Sequence, residues 1–365
     1  MYEFIKGEEV IIYGAGLMGK NLFKAISGYP YQKKVLSFIV NSMRNNPKEV
    51  CGVKVIQLAD ADQYKNMPVL VALHEKYLFG AMEELKKAGF INLIPVSFDN
   101  DTWCDIREAW IINNNLMPYG AKMLMSSTTV VSGSAKTLHI YVVHSQYDKK
   151  LAENILDKPY EISIQVGASL ADSIMFLVQD NYGDNISDKN KEYCELTGLY
   201  WAWKNDRSDY VGLSHYRRKF ILSDEEIESI FSNNIDIVVT VPVLNLDTVK
   251  GQYIKDHSEN DWNVLAQAIN KLSPEYLSAL ETVGNGEFYF AYNMFIAKRE
   301  VFDDYCEWLF TILKYCKDKI GKKIDTYQNR YVGFLAERLL TVYIVKHDEL
   351  NVAVAHKHFI DCVDC

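Results

Sequence analysis

The chain has 365 residues, 48% hydrophobic and 24% charged, a globular make-up long enough for two domains. Its formal net charge of −9 argues against nucleic acid as the main partner. No apolar run approaches the ~18 residues of a membrane span. With no signal peptide at the start, the seven scattered cysteines read as reduced thiols of a cytoplasmic protein.

Residues 1–100 alternate strand and helix: VIIY (10–13), an amphipathic stretch, VLSFIV (35–40), VKVI (53–56), VLVAL (69–73), a charged helix and INLIPV (91–96). That order predicts an α/β domain, a Rossmann-like parallel sheet with crossover helices. The glycines of Gly14-Ala15-Gly16-Leu17-Met18-Gly19 stand between a strand and a helix, where Gly14, Gly16 and Gly19 let the backbone approach a pyrophosphate. The second strand ends in Asn41 where an NAD site has a carboxylate, and no acid precedes Glu49. NAD is therefore disfavoured; NADP, a nucleotide-sugar or an empty pocket remain open.

Residues 101–136 read as a connection, a short helix followed by a Ser/Thr/Gly tract at 126–134. The second domain, 137–365, opens on LHIYVVH (138–144). His144 and Ser145 follow that strand, where ligands of open α/β sheets lie, although an ordinary turn would look the same. Gln165 precedes a small-residue loop. Asp184 and Asn185 crowd another, which leads into a helix with Ser187 as its expected N-cap. On that helix Tyr193, Leu196, Tyr200 and Trp203 form one stripe, with Trp201 about 200° round from Trp203. The two indoles must face different neighbours, core or ligand.

YVGLS then delivers His215, Tyr216, Arg217 and Arg218. Cations at the end of a buried strand need an anion, either a phosphate matched by the guanidinium fork or a protein carboxylate. If the strand stays extended, His215 and Arg217 share one face, Tyr216 and Arg218 the other. FYFAYNMFIA (288–297) is a further predicted strand, with Asn293 as an amide that needs a partner. In a last helix near 324–346, Arg338 falls on the apolar face with Glu337 one step round. Arg338 then meets a carboxylate, or it binds phosphate while Glu337 moves a proton. Lys314, Lys317, Lys319, Lys322 and Lys323 read as a solvated face or a contact with anionic lipid. Cys362 and Cys365, with His356 and His358 nearby, lack the ligand spacing of a zinc finger, and no metal site is assigned.

The motifs HIYVVHS, IQVGA, GDNIS, ELTGLYWAWKN, GLSHYRR, YNMFIA, CEWLF and QNRYVGFLAERLL together resemble a glycosyltransferase-like family of bacterial capsule and exopolysaccharide gene clusters, over 138 to about 360. The resemblance implies a GT-A-like nucleotide-diphospho-sugar transferase domain. It implies transfer of a hexose, galactofuranose being one candidate, from a UDP-sugar donor to a lipid-linked glycan acceptor, with peripheral contact at the inner membrane face. The Asp-x-Asp pair that commonly holds a divalent metal in such enzymes occurs only at Asp60/Asp62 and Asp99/Asp101, outside this region. Arg217 and Arg218 are therefore expected to neutralise the leaving diphosphate in its place. On this reading His215 joins them on the diphosphate, the loop of His144 and Ser145 takes base and ribose, and Asp184 and Asn185 take the sugar. Gln165, Trp203, Asn293 and Arg338 are further substrate-binding candidates, and Glu337 or Asp184 is the general base. Two other readings stand beside it. One is an NAD(P)- or nucleotide-sugar-dependent oxidoreductase or epimerase built on the glycine loop, for which no suitably placed Tyr-x-x-x-Lys follows. The other is a non-catalytic nucleotide-sugar sensor or scaffold.

Overall fold

The computed structural model describes residues 7–98, 100–126, 136–153, 155–245, 247–360 and 362–363. The chain divides into two compact units, Met1–Met117 with Phe359–Cys365, and Pro118–His358.

The first unit contains β1 (Glu9–Tyr13), α1 (Leu17–Ser27), β2 (Lys34–Val40), β3 (Glu49–Val50), β4 (Val53–Gln57), β5 (Pro68–Ala72), α2 (Glu75–Lys87), β6 (Asn92–Val96) and α3 (Asp101–Asn113). Its sheet runs β3-β4-β2-β1-β5-β6, parallel except for the β3–β4 edge. The parallel strands follow the doubly wound order, and the glycine loop lies where the winding reverses, between β1 and β5. The glycines are sterically required there. Gly14 has φ +111°, and a Cβ on it would lie 2.5 Å from the Ala72 carbonyl oxygen. A Cβ on Gly19 would lie 2.0 Å from the Gly14 oxygen, so α1 packs against its own loop. The unit extends beyond residue 100, because α3 buries Trp103, Ile106 and Ile111 and packs on α1 instead of linking the units. Most of the expected Ser/Thr/Gly boundary, 127–134, lies outside the described residues.

The second unit contains β7 (Lys122–Met123), β8 (Leu138–His144), β9 (Glu161–Gln165), β10 (Val178–Gln179), α4 (Asn190–Tyr193), α5 (Leu196–Asn205), β11 (Tyr210–His215), β12 (Arg218–Ile221), α6 (Asp224–Ser232) and β13 (Ile237–Thr240). It continues with β14 (Val243–Leu244), α7 (Val249–Asp256), α8 (Glu259–Leu272), α9 (Leu277–Asn285), β15 (Phe288–Tyr289), β16 (Phe295–Lys298), α10 (Arg299–Ile320), α11 (Tyr331–Lys346) and β17 (Val352–Phe359). The main sheet runs β10-β9-β8-β11-β12-β17-β13-β16, and β16 pairs back onto β11, so five strands close a ring. The strands β10, β9, β8 and β11 are mutually parallel and end along one edge. Along it His144 stands opposite Gln165, and Val143 opposite His215.

Four local expectations change. The helix after Ser187 is interrupted at Cys194, which adopts φ +50°, and Ser187 is no cap. Its hydroxyl donates instead to Asp180 (2.5 Å), a fully buried carboxylate that also accepts from the N–H groups of Gly167 and Ala168. His215 pairs with Arg218 across a two-residue turn, so Tyr216 and Arg217 form a hairpin tip and the extended-strand parity does not apply. The expected strand at 288–297 is split by Tyr292 (φ +70°) and Asn293 (φ +52°), two successive left-handed residues. The last helix begins at Tyr331 after a single tight turn, Gln328–Arg330.

Candidate active site

The backbone breaks at Cys194, at Tyr292–Asn293 and at the hairpin tip bring polar groups together beyond the end of β11. Asn293, 1% exposed, donates its Nδ2 to Glu195 Oε1 at 2.6 Å and more distantly to the Gly333 carbonyl at 3.4 Å. Its Oδ1 is buried with no hydrogen-bond partner among the described residues. The Tyr292 N–H donates to Glu337 Oε1 (3.2 Å), and the Tyr292 carbonyl lies 2.7 Å from His215 Nε2. Arg218 stacks on the Tyr292 ring at 4.9 Å, with the Lys357 ammonium 5.1 Å from the same ring. A Tyr at positive φ costs about 1–2 kcal/mol, so these contacts hold a strained turn in place. Glu195, Asn293, Glu337, His215 and Arg218, drawn from four separate segments, thus converge on one turn.

Both carboxyl groups are shifted upward by burial. Burial pushes Glu195 above the ordinary glutamate range, against the Asn293 hydrogen bond and the charges of Arg330 and Arg218. Burial also raises Glu337, where Arg338 pulls back, the Glu195 charge pushes further, and Arg218 opposes. Arg338, 5% exposed, donates to Glu337 Oε2 at 2.6 Å and lies over the rings of Tyr289 and Tyr253, 4.5 and 5.3 Å away. The carboxylate expected as one partner of Arg338 is that of Glu337. Two carboxyl groups pushed upward beside arginines and an imidazole are candidates for proton exchange.

The other sequence candidates fall along the same edge or away from it. His144 is stacked on Phe176 (4.3 Å) with Asp148 3.3 Å from its Nδ1, and its ring is 6.1 Å from Tyr216 at the hairpin tip. The Ser145 hydroxyl accepts from the Tyr147 N–H (3.1 Å). Gln165 is engaged at both ends, donating to the Ser173 carbonyl and accepting from the Met175 N–H, each at 2.7 Å. Asp184 and Asn185 lie apart from Glu195, near the opposite end of α5. The Asp184 carboxylate accepts from Tyr200 and its carbonyl from Asn205, about 7.5 and about 15 Å along the helix from Glu195. Asn185 binds the Ser187 N–H and the Gly183 carbonyl. Trp203 packs parallel to Phe310 with the Lys204 ammonium 3.2 Å from its ring, while Trp201 faces Tyr141 and donates to the Tyr182 carbonyl. The indoles face different neighbours, and both neighbours are protein.

In the first unit the amide of Asn41 is held from both sides, accepting from the Tyr13 hydroxyl (2.6 Å) and donating to Glu84 (2.5 Å). The ends of the expected lysine run are partly neutralised, since Lys314, Lys317 and Lys323 pair with Asp318, Glu192 and Asp261. Of the terminal cysteine pair, Cys365 lies outside the described residues. Among the described residues no three His, Cys, Asp or Glu side chains gather as a metal site, and no helix is long and apolar enough to cross a membrane.

Residues 139–348 match the family model described as a domain of unknown function, DUF4422. The chain belongs to that family. The DUF4422 match takes in Glu195, His215, Arg218, Tyr292, Asn293 and Glu337, while Lys357 lies beyond it. Among solved structures the chain is similar to WbbM, a bifunctional glycosyltransferase in its apo form. That likeness has 29% identity and a TM-score of 0.54, over 62% of this chain and 46% of WbbM. The chain thus spans less than half of WbbM's length. Two slighter likenesses carry no argument. They are RSP, a Rex-family repressor (13% identity, TM-score 0.22, 31% of this chain and 62% of that one), and the mannosyltransferase Ktr4p from S. cerevisiae (8%, 0.23, 97% and 70%). No curated protein matches the sequence. The similarity to WbbM makes the chain glycosyltransferase-like over the share that matches.

Sequence reasoning missed Glu195, Tyr292 and Arg330. Glu195 carried a signal: it is a carboxylate placed directly before the mostly apolar run LTGLYWAW. Its partner lies 98 residues away, so periodicity had no means of pairing them.

Proposed function

We propose that the second unit is a glycosyltransferase acting on a nucleotide-diphospho-sugar. The observation that carries this is the convergence of Glu195 and Glu337 with His215 and Arg218 on one strained turn, in a chain similar to WbbM. Glu337 takes the proton of the acceptor hydroxyl as that oxygen bonds to the anomeric carbon. The bond from that carbon to the diphosphate breaks, and Arg217 and Arg218 meet the charge that leaves. Glu337 is preferred to Asp184 as the base because Asp184 stands at the far end of α5. His144, Ser145 and Gln165 line the neighbouring strand ends, where the nucleoside would lie.

The substrates we assign are a hexose such as galactofuranose carried on UDP and a lipid-linked glycan acceptor of capsule or exopolysaccharide synthesis, reached from the inner membrane face. In the first unit Gly14, Gly16 and Gly19 would face a nucleotide phosphate. Asn41 would stand on the ribose side, with its amide already held by Tyr13 and Glu84.

The test is a panel of nucleotide-diphospho-sugars with lipid-linked saccharide acceptors, read by release of nucleoside diphosphate with and without a chelator. Turnover of one donor that survives the chelator is expected. A chelator that abolishes turnover removes Arg217 and Arg218 from the metal's role, and binding without turnover supports the scaffold instead.

A further inference from the structure

The arginines of the second unit are employed differently. Arg299 gives Nη2 to Asp206 and Nη1 to Asp303, Arg338 gives Nη1 to Glu337, and Arg207 gives its Nη groups to carbonyls. Among the described residues the Arg330 side chain makes a single hydrogen bond, from Nε to the thiol sulfur of Cys194 at 3.0 Å. Among the described residues no carboxylate lies within ion-pair distance of it. The residue is exposed, and its guanidinium rests against the rings of Tyr327 and Phe334, 6.0 and 5.8 Å away. The position is close to the convergent turn. Cys194 directly precedes Glu195, and Gly333, one helical turn after Arg330, accepts from Asn293 and has Glu195 Oε1 as its nearest side-chain neighbour.

A thiol is an unusual anchor, and its consequence is electrostatic. Burial pushes Cys194 up to about 11, so at neutral pH the sulfur is uncharged and brings no counter-charge to the guanidinium. The bond fixes Nε and orients the planar fork, leaving both Nη groups without a protein acceptor among the described residues, in electrostatic reach of Glu195. A pre-oriented fork with two unused donor groups matches a pair of phosphate oxygens.

We propose that Arg330 binds a phosphate group of a diphosphate-bearing ligand at this site and that Cys194 is its positioning residue. This rests on the glycosyltransferase reading for the ligand class and adds a contact to it: Arg330 grips the diphosphate from the α11 side, opposite the hairpin arginines in sequence. The diphosphate can belong to the nucleotide donor or to a lipid-linked acceptor.

Binding is measured by calorimetry at fixed ionic strength with UDP, inorganic pyrophosphate, a short alkyl diphosphate and uridine. Arg330→Ala is expected to weaken diphosphate binding about tenfold, the weight of a charge-assisted hydrogen bond, and to leave any uridine binding unchanged. Loss confined to UDP assigns the contact to the donor, and loss confined to the alkyl diphosphate assigns it to the acceptor. Cys194→Ala should produce part of the loss and Cys194→Ser should restore it, a rescue that a merely space-filling thiol would not give. If Arg330→Ala fails to fold, Arg330→Gln serves with the same expectation. Wild-type diphosphate affinity in a folded Arg330 variant, or no diphosphate binding by the native chain, overturns the proposal. Absence of transfer with Arg330-dependent diphosphate binding intact would instead overturn only the proposed activity.

Discussion

Two carboxylate centres sit at opposite ends of the β8–β11 pair, and they are built on opposite principles. At the end where the strands begin, Asp206 accepts from His139 (2.6 Å), Tyr141 (2.7 Å), the Ser208 N–H (2.7 Å), the Ser208 hydroxyl (2.5 Å) and Arg299 (2.5 Å). Burial works against its charge, yet the hydrogen bonds of His139, Ser208 and Tyr141 hold it down at about 2. At the end where the strands stop, Glu195 accepts from one amide, and Glu337 from one N–H and one guanidinium; burial prevails and both are raised. The number of donors decides the outcome. A carboxylate saturated with donors is a permanent charge that braces the fold, whereas one left short of donors can change its protonation state.

The sharpest way to break this contrast is Glu337→Gln. If Glu337 is the base, turnover should fall by about 10²–10⁴-fold with little change in donor KM, as loss of a general base does. The measurement is initial rate of nucleoside diphosphate release, beside a melting curve to show that the fold survives. Asp206→Asn is the matched control and should leave the rate of folded enzyme near wild type. Equal rate losses in the two variants would erase the distinction.

Arg218→Ala comes next. The Arg218 charge reaches both glutamates, and its guanidinium rests on the Tyr292 ring. Loss of a cation that meets the leaving group should cost about 2–4 kcal/mol of transition-state stabilisation, seen in kcat more than in KM. A change in KM alone would reassign it to ground-state binding.

The Asp206 centre makes a stability prediction of similar or smaller size. Its pKa is about 2 in the fold and about 3.9 in an unfolded chain, so its ionised form is favoured by folding. The stability it contributes, about 2–3 kcal/mol, is complete above about pH 4 and is lost as pH falls through about 2. Urea unfolding across that range, followed by tryptophan fluorescence, should show a steeper acid loss in wild type than in Asp206→Asn. Parallel curves would mean that other groups set the acid limit.

What the sequence could reveal follows how local the contacts are. Asp206 was not legible, because of its partners only Ser208 is near in sequence, while Tyr141, His139 and Arg299 lie 65, 67 and 93 residues away. Gly14 and Gly19 announce a tight strand–helix turn in the first unit. The placement of His215, Arg217 and Arg218 at a strand end was legible for a similar reason, since an apolar run stopped at a block of cations. The hairpin itself was not, because Tyr216 and Arg217 carry none of the Gly, Asn or Asp chemistry that marks two-residue turns. The break at Tyr292–Asn293 was hidden likewise, since an aromatic stretch favours a continuous strand and the contacts that hold the left-handed pair come from α5, α11 and β11. Tertiary contacts overrode local preference where the candidate site was assembled, which is where a sequence-level rule is expected to fail.

The finest test of the comparison is the coupling between the two raised carboxylates. The Glu195 charge is one of the causes that push Glu337 upward, after burial, while Arg338 and Arg218 oppose it. His215 also meets the turn, the Arg330 charge reaches Glu195, and Cys194 stays neutral below about pH 11. Glu195→Gln keeps a hydrogen-bonding oxygen for Asn293 and removes the charge. Glu337 should then ionise more readily, and the acid limb of the kcat/KM profile should move to lower pH with the plateau largely kept. A limb that stays in place would mean that Glu195 is already protonated throughout the working range. A limb that moves upward would mean that the charge at Glu195 stabilises the ionised site through the arginines more than it opposes Glu337.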